Sequence, residues 1–398
     1  MAPIRVGLVG LSAGAKTSWA AEAHLPYLLS ARGRQNYTVV ALLNSSAQAA
    51  AAARAHFGLP DDVRAYGDPE ALARDPDVDL VVCCTRVDTH FDIVEPLARE
   101  GKAVYVEWPL TEGLESSERL AALAAASGQR QGSIVGLQGQ VARVVVKIKE
   151  IVDSGRVGRV LGSDVEAYGN LLPRDELPEG LAYFAERKVG GNPVTIAFAH
   201  MIDYVHHVLG EFGEGGKGFE SRMQIQRPEV KVLGADERNE GRRVRSDVPD
   251  FIASHGAIMG WNIAPGATLT VRFRNGTPFK GRSAFVWRIV GEKGEIEVDS
   301  PSGPYLHSDS YNEPIVIRVH DHQKDVVEEV SWNWEPWKEE LPIRARNVGE
   351  IYDRYAKWVE GGRRGVEEGE GWPTLDDAVV RMRELDTLFK RFDGQATD

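Results

Sequence analysis

The chain has 398 residues, of which 42% are hydrophobic and 27% charged, so we expect two globular domains rather than one ordinary core. Its formal net charge of -12 disfavours direct binding to nucleic acid phosphates and to anionic membrane surfaces.

The sequence has no apolar run near the roughly 18 residues that a membrane span needs. Its start, MAPIRVGLVG, is typical of a strand and not of a secretory signal, which predicts a cytosolic (cytoplasmic) protein. Cys83 and Cys84 adjoin each other in an apolar run. This position favours buried strand residues over a disulfide or a metal site.

Short apolar runs alternate with helical patterns through the first part of the chain, which indicates parallel strands joined by crossover helices. The predicted strands are Ile4–Val9, Thr38–Leu43, Arg64–Tyr66, Leu80–Cys84, Ala103–Glu107 and Ser133–Leu137. The predicted helices are Ala47–Phe57, Pro69–Arg74, His90–Glu100 and Glu115–Ser127. These elements predict an α/β, doubly wound Rossmann domain that binds a dinucleotide, over residues 1–137.

The pattern changes after Leu137, where a helix is followed by alternating stretches typical of a largely antiparallel open sheet. The predicted elements are a helix at Ala142–Ser154 and strands at Arg159–Tyr168, Thr268–Phe273, Ala284–Val290 and Glu295–Val298. Glycine and charge predict exposed loops at Glu211–Lys217 and Gly234–Ser246. Two helices are expected to close the chain, so residues 138–398 are predicted to form an α+β substrate and dimerisation domain.

Small residues follow the first strand, in the order Gly10, Leu11, Ser12, Ala13 and Gly14. Such a loop lets backbone N–H groups approach a pyrophosphate. The spacing departs from the usual glycine fingerprint, because Ser12 stands where a glycine is usual. A dinucleotide loop is the prediction, and a turn that binds no ligand is the alternative.

The second strand ends in Asn44, Ser45 and Ser46, without the Asp or Glu that accepts hydrogen bonds from the ribose hydroxyls of NAD. These neutral donors suit a 2′-phosphate, and Lys16 or Arg54 is a candidate to assist them. We therefore expect NADP, with NAD as the second choice. A helix-capping serine is the simpler alternative.

Several motifs resemble the glucose-fructose oxidoreductase/inositol dehydrogenase/MocA family over nearly the whole chain. They are the glycine-containing start, His24-Leu25-Pro26, VYVEWPL at 104–110, LQGQ at 137–140, TIAFAHMID at 195–203 and Trp372-Pro373-Thr374-Leu375. Within the family, the sequence is most similar to the branch that contains the fungal galactose-pathway repressor. The resemblance is specific for the fold and weak for the reaction. It implies that Thr85, His90, Glu107, Trp108 and Gln138 lie beside the cofactor.

The resemblance also implies a catalytic position at the end of the fifth strand. Family enzymes place a lysine after the glutamate there, and an Asp four residues before a His. In this chain Trp108 replaces the lysine and Ile196 replaces the Asp, whereas His200 is retained. Tryptophan cannot act as a base, so His200 is the predicted acid or base and Trp108 is predicted to shape the pocket. Packing is the alternative role for His200.

Three further side chains are candidates for the same chemistry. Asp203 lies three residues after His200 on a predicted helix, where its carboxylate is expected to orient the imidazole. Lys188 is a candidate replacement for the missing ammonium, and Tyr168 is a candidate hydroxyl donor.

Two aromatic clusters complete the set of candidates. Trp332, Trp334 and Trp337 are expected on one face of a strand, where they stack a carbohydrate or, as the favoured alternative, pack on a helix or a partner subunit. The other cluster comprises His307, His320, His322, Asp309 and Asp321. Its spacing is not that of a compact ligand set, and no metal is expected.

Three functions fit these observations. The first is an NAD(P)-dependent oxidoreductase that acts on a small-molecule substrate, a sugar-like polyol or a secondary-metabolite alcohol or carbonyl. The second is a non-catalytic, dinucleotide-binding transcriptional regulator that acts through a protein partner. The third is a redox-neutral epimerase or isomerase. In each case an open sheet with one uncovered face predicts a homodimer.

Overall fold

A computed structural model describes residues 2–14, 18–213, 218–234, 241–364, 366 and 369–395. The chain divides into two compact units: unit 1 is Met1–Val141 with Trp334–Val379, and unit 2 is Ala142–Asn333 with Val380–Asp398. The predicted division differs from this one, because residues 334–379 belong to unit 1. They do so because their long helix packs Tyr352 against Tyr27 and Tyr105.

Ten predicted strands are present with shifts at their ends, and the described residues contain eight further strands that the sequence did not predict. All of these strands, in chain order, are β1 Ile4–Val9, β2 Tyr37–Leu43, β3 Arg64–Tyr66, β4 Leu80–Cys83, β5 Ala103–Val106, β6 Ile134–Val135, β7 Val160–Gly169, β8 Glu176–Pro178, β9 Glu211–Phe212, β10 Phe219–Gln224, β11 Glu229–Leu233, β12 Arg242–Arg245, β13 Phe251–Met259, β14 Ile263–Asn275, β15 Phe285–Gly291, β16 Gly294–Ser300, β17 Val316–Asp321 and β18 Val326–Val330. The strands that the sequence did not predict are β8 to β13, β17 and β18.

The α-helices of the same residues are α1 Leu25–Leu29, α2 Gly33–Asn36, α3 Ala47–His56, α4 Pro69–Ala73, α5 His90–Arg99, α6 Leu114–Ala126, α7 Arg143–Asp153, α8 Ala199–Leu209, α9 Pro336–Glu339, α10 Ile343–Glu360 and α11 Leu375–Gln395. Short 3-10 or π turns include Ala20–His24, Gln138–Val141 and Val194–Phe198. None of the described helices is both long and apolar enough to cross a membrane.

Unit 1 is built on a parallel sheet in the order β3-β2-β1-β4-β5-β6. Every residue of β4 and β5 is buried, which is typical of parallel strands covered on both faces. The strand order reverses between β1 and β4, and ligands bind doubly wound sheets at the carboxyl ends of the strands beside such a reversal. The predicted Rossmann fold is confirmed.

Unit 2 contains a large sheet in the order β10-β13-β14-β7-β15-β16-β17-β18, with β9 paired to β13. Only the β14–β7 pair is parallel within the described part of this sheet. Helix α8 covers one face, where Tyr204 packs against Phe285 and Trp287. A smaller sheet has the order β12-β11-β8. The predicted, largely antiparallel domain is also confirmed.

The predicted tryptophan strand is wrong. Residues 331–335 form no strand, and α9 begins at Pro336, a residue whose fixed φ suits the first turn of a helix. The three rings also separate: Trp332 Nε1 donates to the carbonyl of Ile315, whereas Trp337 packs against Tyr27.

The two predicted glycine-rich loops are partly strands. The segment 211–217 begins with β9, and the segment 234–246 contains β12. Residues 214–217 and 235–240 lie outside the described part of the chain. Strand β12 forms because it pairs with β11, with Val244 opposite Val230, and such a pairing is invisible in the charge pattern of one segment.

Candidate functional site

The predicted nucleotide residues of unit 1 meet at the carboxyl edge of the parallel sheet. Gly10 N donates to the Leu43 carbonyl at 3.0 Å, which joins the ends of β1 and β2. Cys84 N donates to the Val9 carbonyl at 3.1 Å, and this bond joins β1 to the end of β4. The chain segments that follow these three strands are thus held side by side.

Gly10 has a φ of 87°, in the region that favours glycine. A Cβ at this position would lie 2.9 Å from the Cys84 carbonyl oxygen, so no other residue fits without a shift of the backbone. Gly14 has open space around its Cα, and its N–H donates to Ser12 Oγ at 3.3 Å. A narrow turn that ends in accessible backbone suits a pyrophosphate.

Asn44, Ser45 and Ser46 differ in what they contact. Asn44 Nδ2 donates to the Leu11 carbonyl at 2.9 Å and so fixes the nucleotide loop. Ser46 caps α3, since its Oγ accepts from Ala49 N at 3.1 Å. The simpler alternative for a serine at this turn is therefore confirmed for Ser46. Ser45 is exposed, and its predicted contact with the cofactor stays a prediction.

Arg54 does not assist these residues. Its Nη1 donates to the carbonyls of Asp61 and Val63, both at 2.8 Å. These residues precede β3, at the opposite edge of the sheet from Ser45, because α3 runs back from the carboxyl edge to the amino edge. Lys16, the other cation considered, lies outside the described residues.

His90 is enclosed by backbone carbonyls. Its Nε2 lies 3.0 Å from the Thr85 carbonyl oxygen, and its Nδ1 lies 3.0 Å from that of Pro109. Burial lowers the pKa of the imidazole despite these oxygens. The neutral imidazole donates from one nitrogen only, and its position between carbonyls that follow β4 and β5 gives His90 the role of joining the ends of these strands. The Thr85 hydroxyl accepts from that of Thr89 at 2.9 Å.

Glu107 belongs to a buried relay that the sequence did not reveal. Its Oε1 lies 2.8 Å from His24 Nε2, and His24 Nδ1 lies 2.8 Å from the Tyr352 hydroxyl. Burial, followed by Tyr105, raises the pKa of Tyr352 well above its usual value, so the phenol beside His24 keeps its proton. The only sequence signal was His24-Leu25-Pro26. Trp108 beside Glu107 is buried.

Gln138 lies in the turn Gln138–Val141 and is 1% exposed. Its Oε1 is buried and has no hydrogen-bond partner within the part of the chain that the structure describes, an arrangement that costs free energy unless a donor reaches it. Together with Gly10 and Gly14, this acceptor fits a ligand that carries both phosphates and N–H groups, as NAD and NADP do.

In unit 2, the predicted base His200 stacks on His307. Their ring centroids are 3.8 Å apart with an interplanar angle of 12°, and both residues are buried. Burial, followed by the neighbouring His307, holds the pKa of His200 well below its usual value. The sequence did not predict this contact, because no spacing rule relates residues 200 and 307. It suggests His307 only as a member of a histidine and aspartate cluster for which no metal is expected.

Asp203 belongs to a buried charge network on α8, β9 and α11. Arg381 Nη2 donates to Glu211 at 2.8 Å, its Nη1 donates to Glu384, and its Nε lies 3.6 Å from Asp203 Oδ1. Ligand atoms of His206, Glu211 and Glu384 lie within 4.8 Å of one another, close enough for a metal. Arg381 already supplies positive charge to the carboxylates of Glu211 and Glu384. The predicted orientation of His200 by Asp203 stays a prediction.

The network makes stability depend on pH through His206. Burial alone lowers the pKa of His206, but Glu384 and Glu211 outweigh it, so the net shift is upward. The stabilisation is therefore complete below the unfolded value of about 6.5 and is lost as pH rises through the folded pKa. We expect the free energy of unfolding of the wild type, relative to His206→Gln, to fall as pH rises above about 6.5.

Urea unfolding of both proteins at several pH values measures this difference. His255→Gln, at an exposed residue of β13, is the control and should follow the wild-type pH dependence. A difference between the wild type and His206→Gln that stays constant with pH would show that His206 does not titrate in this range.

Tyr168 and His200 lie on opposite faces of the large sheet. Strand side chains alternate, and Val165 and Ala167 point with Trp287 and Phe273 to the face that α8 covers. Tyr168 points the other way, and its hydroxyl donates to Glu166 at 2.6 Å. Burial, then this hydrogen bond, raises its pKa. The pleat therefore separates Tyr168 from the face that α8 covers, and its predicted role as a hydroxyl donor stays a prediction.

Lys188 is a surface residue. Its side chain is 81% exposed, and its Nζ lies 3.1 Å from Glu186. An exposed ion pair of this kind contributes little to stability. The described contacts of Lys188 do not include His200. The prediction that Lys188 replaces the lysine ammonium of the family enzymes stays a prediction.

The chain matches two family models. Residues 4–134 match the oxidoreductase family with an NAD-binding Rossmann fold, and residues 143–300 match the C-terminal domain of Gal80p. The two matches meet near the division between units 1 and 2.

Individual relatives span almost the whole chain. The chain is 32% identical over 408 residues to dehydrogenase aclE of Aspergillus oryzae, with 99% of this chain and 98% of the relative covered. It is 23% identical to the galactose/lactose metabolism regulatory protein GAL80 of Saccharomyces cerevisiae, with 98% and 92% covered. A solved super-repressor mutant of Gal80p from the same yeast has a TM-score of 0.83 at 22% identity, with 99% and 97% covered.

Proposed function

We propose, from the premise that this chain belongs to the glucose-fructose oxidoreductase/inositol dehydrogenase/MocA family, that it is an NAD(P)-dependent oxidoreductase. Its substrate would be a sugar-like polyol or a secondary-metabolite alcohol or carbonyl. The observation that carries the proposal is the buried, stacked pair of His200 and His307 in unit 2, which supplies a proton acceptor in a chain whose sequence has Trp108 in place of the family lysine. The dehydrogenase relative supports the same reaction class.

The residues would divide the work in a simple way. Bound NAD(P) supplies the hydride chemistry. The turn at Gly10, which Asn44 fixes through the Leu11 carbonyl, would hold the phosphates and ribose of the cofactor. Gln138 would accept a hydrogen bond from an N–H group of the cofactor. His200 is neutral at pH 7 because of its lowered pKa, so in the oxidative direction it takes the substrate hydroxyl proton. Trp108 presents an aromatic face and moves no proton.

The proposed cofactor is NADP in preference to NAD, because β2 ends without a carboxylate. Ser45→Asp is expected to weaken NADPH binding about tenfold, since the new carboxylate repels the 2′-phosphate, and to leave NADH binding equal or stronger. Fluorescence titration measures both affinities. Arg54→Gln is the matched control and should change neither, because Arg54 is bound to residues 61 and 63. Wild-type protein that binds NADH more tightly than NADPH would refute the preference.

The second candidate is a dinucleotide-binding regulator that acts through a protein partner. Two observations favour it: Trp108 stands at the lysine position, and the regulatory relative aligns over 98% of this chain. A redox-neutral epimerase, which returns the hydride to the substrate, is a third outcome that the same experiment reveals.

The test is a substrate screen with the purified chain, NADPH, NADH and a panel of sugars, cyclic polyols and carbonyl compounds. A net change in nicotinamide absorbance supports the oxidoreductase. Tight cofactor binding with no turnover supports the regulator, and product without net absorbance change supports the epimerase. Gly10→Val is the control that should lose dinucleotide binding, because its side chain would collide with the Cys84 carbonyl.

We further propose a cytosolic homodimer. The face of the large sheet opposite α8 carries cross-strand ion pairs such as Arg288 with Glu297 and Arg272 with Glu166. A second copy would cover this broad face, as uncovered sheets usually require.

A further inference from the structure

A depression in unit 2 combines arginines with apolar walls. It is open to solvent and lies between the small sheet, the turn before α8 and the end of β14. Leu177, Phe184 and Val248 are among its apolar lining residues, and Arg174 and Arg227 line it as cations. None of these residues belongs to the dinucleotide or proton-transfer sites described above.

Two guanidinium groups converge on the carbonyl of Thr277: that of Arg174, which lines the depression, and that of Arg274, whose neighbour Asn275 lines it. Arg174 Nη2 and Arg274 Nη2 both donate to the carbonyl of Thr277, at 2.7 and 3.0 Å. Arg174 Nε and Arg274 Nη1 are buried and have no hydrogen-bond partner among the described residues. A buried donor on a cation costs free energy unless an acceptor reaches it, so these two N–H groups point to an absent acceptor.

Positive charge is in excess at this place. Asp250 lines the depression, but it accepts from Arg227 at 3.1 Å and from the Gln226 backbone N–H. Glu176 lies 4.0 Å from Lys231. Burial, followed by the charges of Arg174 and Arg227, lowers the pKa of Arg274. The described carboxylates therefore do not neutralise Arg174 and Arg274.

We propose that this depression, the Arg174–Arg274 site, binds a small organic anion that carries a carboxylate or phosphate group on an apolar body. The two forked guanidiniums match such oxygens, and the apolar walls suit the body of the ligand. The proposal does not depend on the dinucleotide or on turnover.

Isothermal titration calorimetry of the full chain with phenyl phosphate, benzoate and benzyl alcohol tests this proposal. Both anions are expected to bind, and the neutral alcohol is not. Comparison of the affinities for phenyl phosphate and benzoate shows which of the two anionic groups the site prefers. Arg174→Gln and Arg274→Gln should each weaken binding at least about tenfold, the effect of losing a charge-assisted hydrogen bond. Arg243→Gln is the matched control, because Arg243 is 75% exposed and pairs with Glu229 at the surface.

Three outcomes would overturn the proposal. The first is no binding heat with either anion up to about 10 mM, a range that reaches very weak affinities. The second is an equal loss of anion affinity in Arg243→Gln and Arg174→Gln, and the third is displacement of the anions by saturating NADPH. Thermal unfolding gives a second measurement. Phenyl phosphate should raise the melting temperature of the wild type but not of Arg174→Gln.

Discussion

Replacement of His200 by alanine is expected to slow the chemical step by about 10²–10⁴-fold, the usual contribution of a positioned general acid or base. The imidazole is buried, and its lowered pKa keeps it neutral and able to accept a proton. The affinity for NADPH should not change, because the residues that we assign to cofactor binding are unaltered. Single-turnover kinetics with the substrate found in the screen and fluorescence titration measure the two quantities.

His307→Ala separates a proton-transfer role from packing. His307 contributes to the low pKa of His200, so its loss should raise that pKa and move the acidic limb of the pH–rate profile to higher pH. His207→Ala, on the same helix, should leave the profile unchanged. A His200→Ala enzyme with the wild-type rate would remove His200 from the mechanism, and an unchanged profile in His307→Ala would reduce the stacked pair to packing.

Replacement of Arg381 by methionine is expected to destabilise unit 2 by about 3–5 kcal/mol, the cost of leaving buried charges without their partner. Arg381 is 2% exposed and lies against Glu384, Glu211 and Asp203. Methionine keeps an apolar stem of similar length but no positive charge. Urea unfolding followed by circular dichroism measures the loss in the free energy of unfolding.

Two variants of α11 complete this experiment. Lys390→Met removes a 75% exposed cation that pairs with Asp386, and it should cost no more than about 1 kcal/mol. Arg381→Met with Glu384→Met removes both buried partners and should recover part of the lost stability. If Arg381→Met costs no more than Lys390→Met, the buried network contributes little, and the role that we give Arg381 is wrong.

The element order of the parallel sheet of unit 1 follows from local signals, whereas unit 2 contains strands such as β12 that form through pairing with a neighbour. Strands β4 and β5 are continuous apolar runs bounded by turns, as buried parallel strands require. The Gly10 turn was also predictable, because only glycine tolerates its φ and the approach of the Cys84 carbonyl. The candidate base His200 and the lack of a carboxylate after β2 could also be predicted from the sequence, because residue type and position near the end of a strand or helix are enough to suggest them.

The sequence by itself thus determined the two folds, the nucleotide turn and the loss of the family lysine at Trp108. Only the tertiary structure decided which side chains meet. His24 and Tyr352 are 328 residues apart yet hydrogen-bonded, and no periodicity relates His200 to His307. Secondary structure depends on short-range patterns, whereas side-chain partners depend on which elements pack together. For that reason the sequence did not show that the pleat of β7 separates Tyr168 from the face that α8 covers.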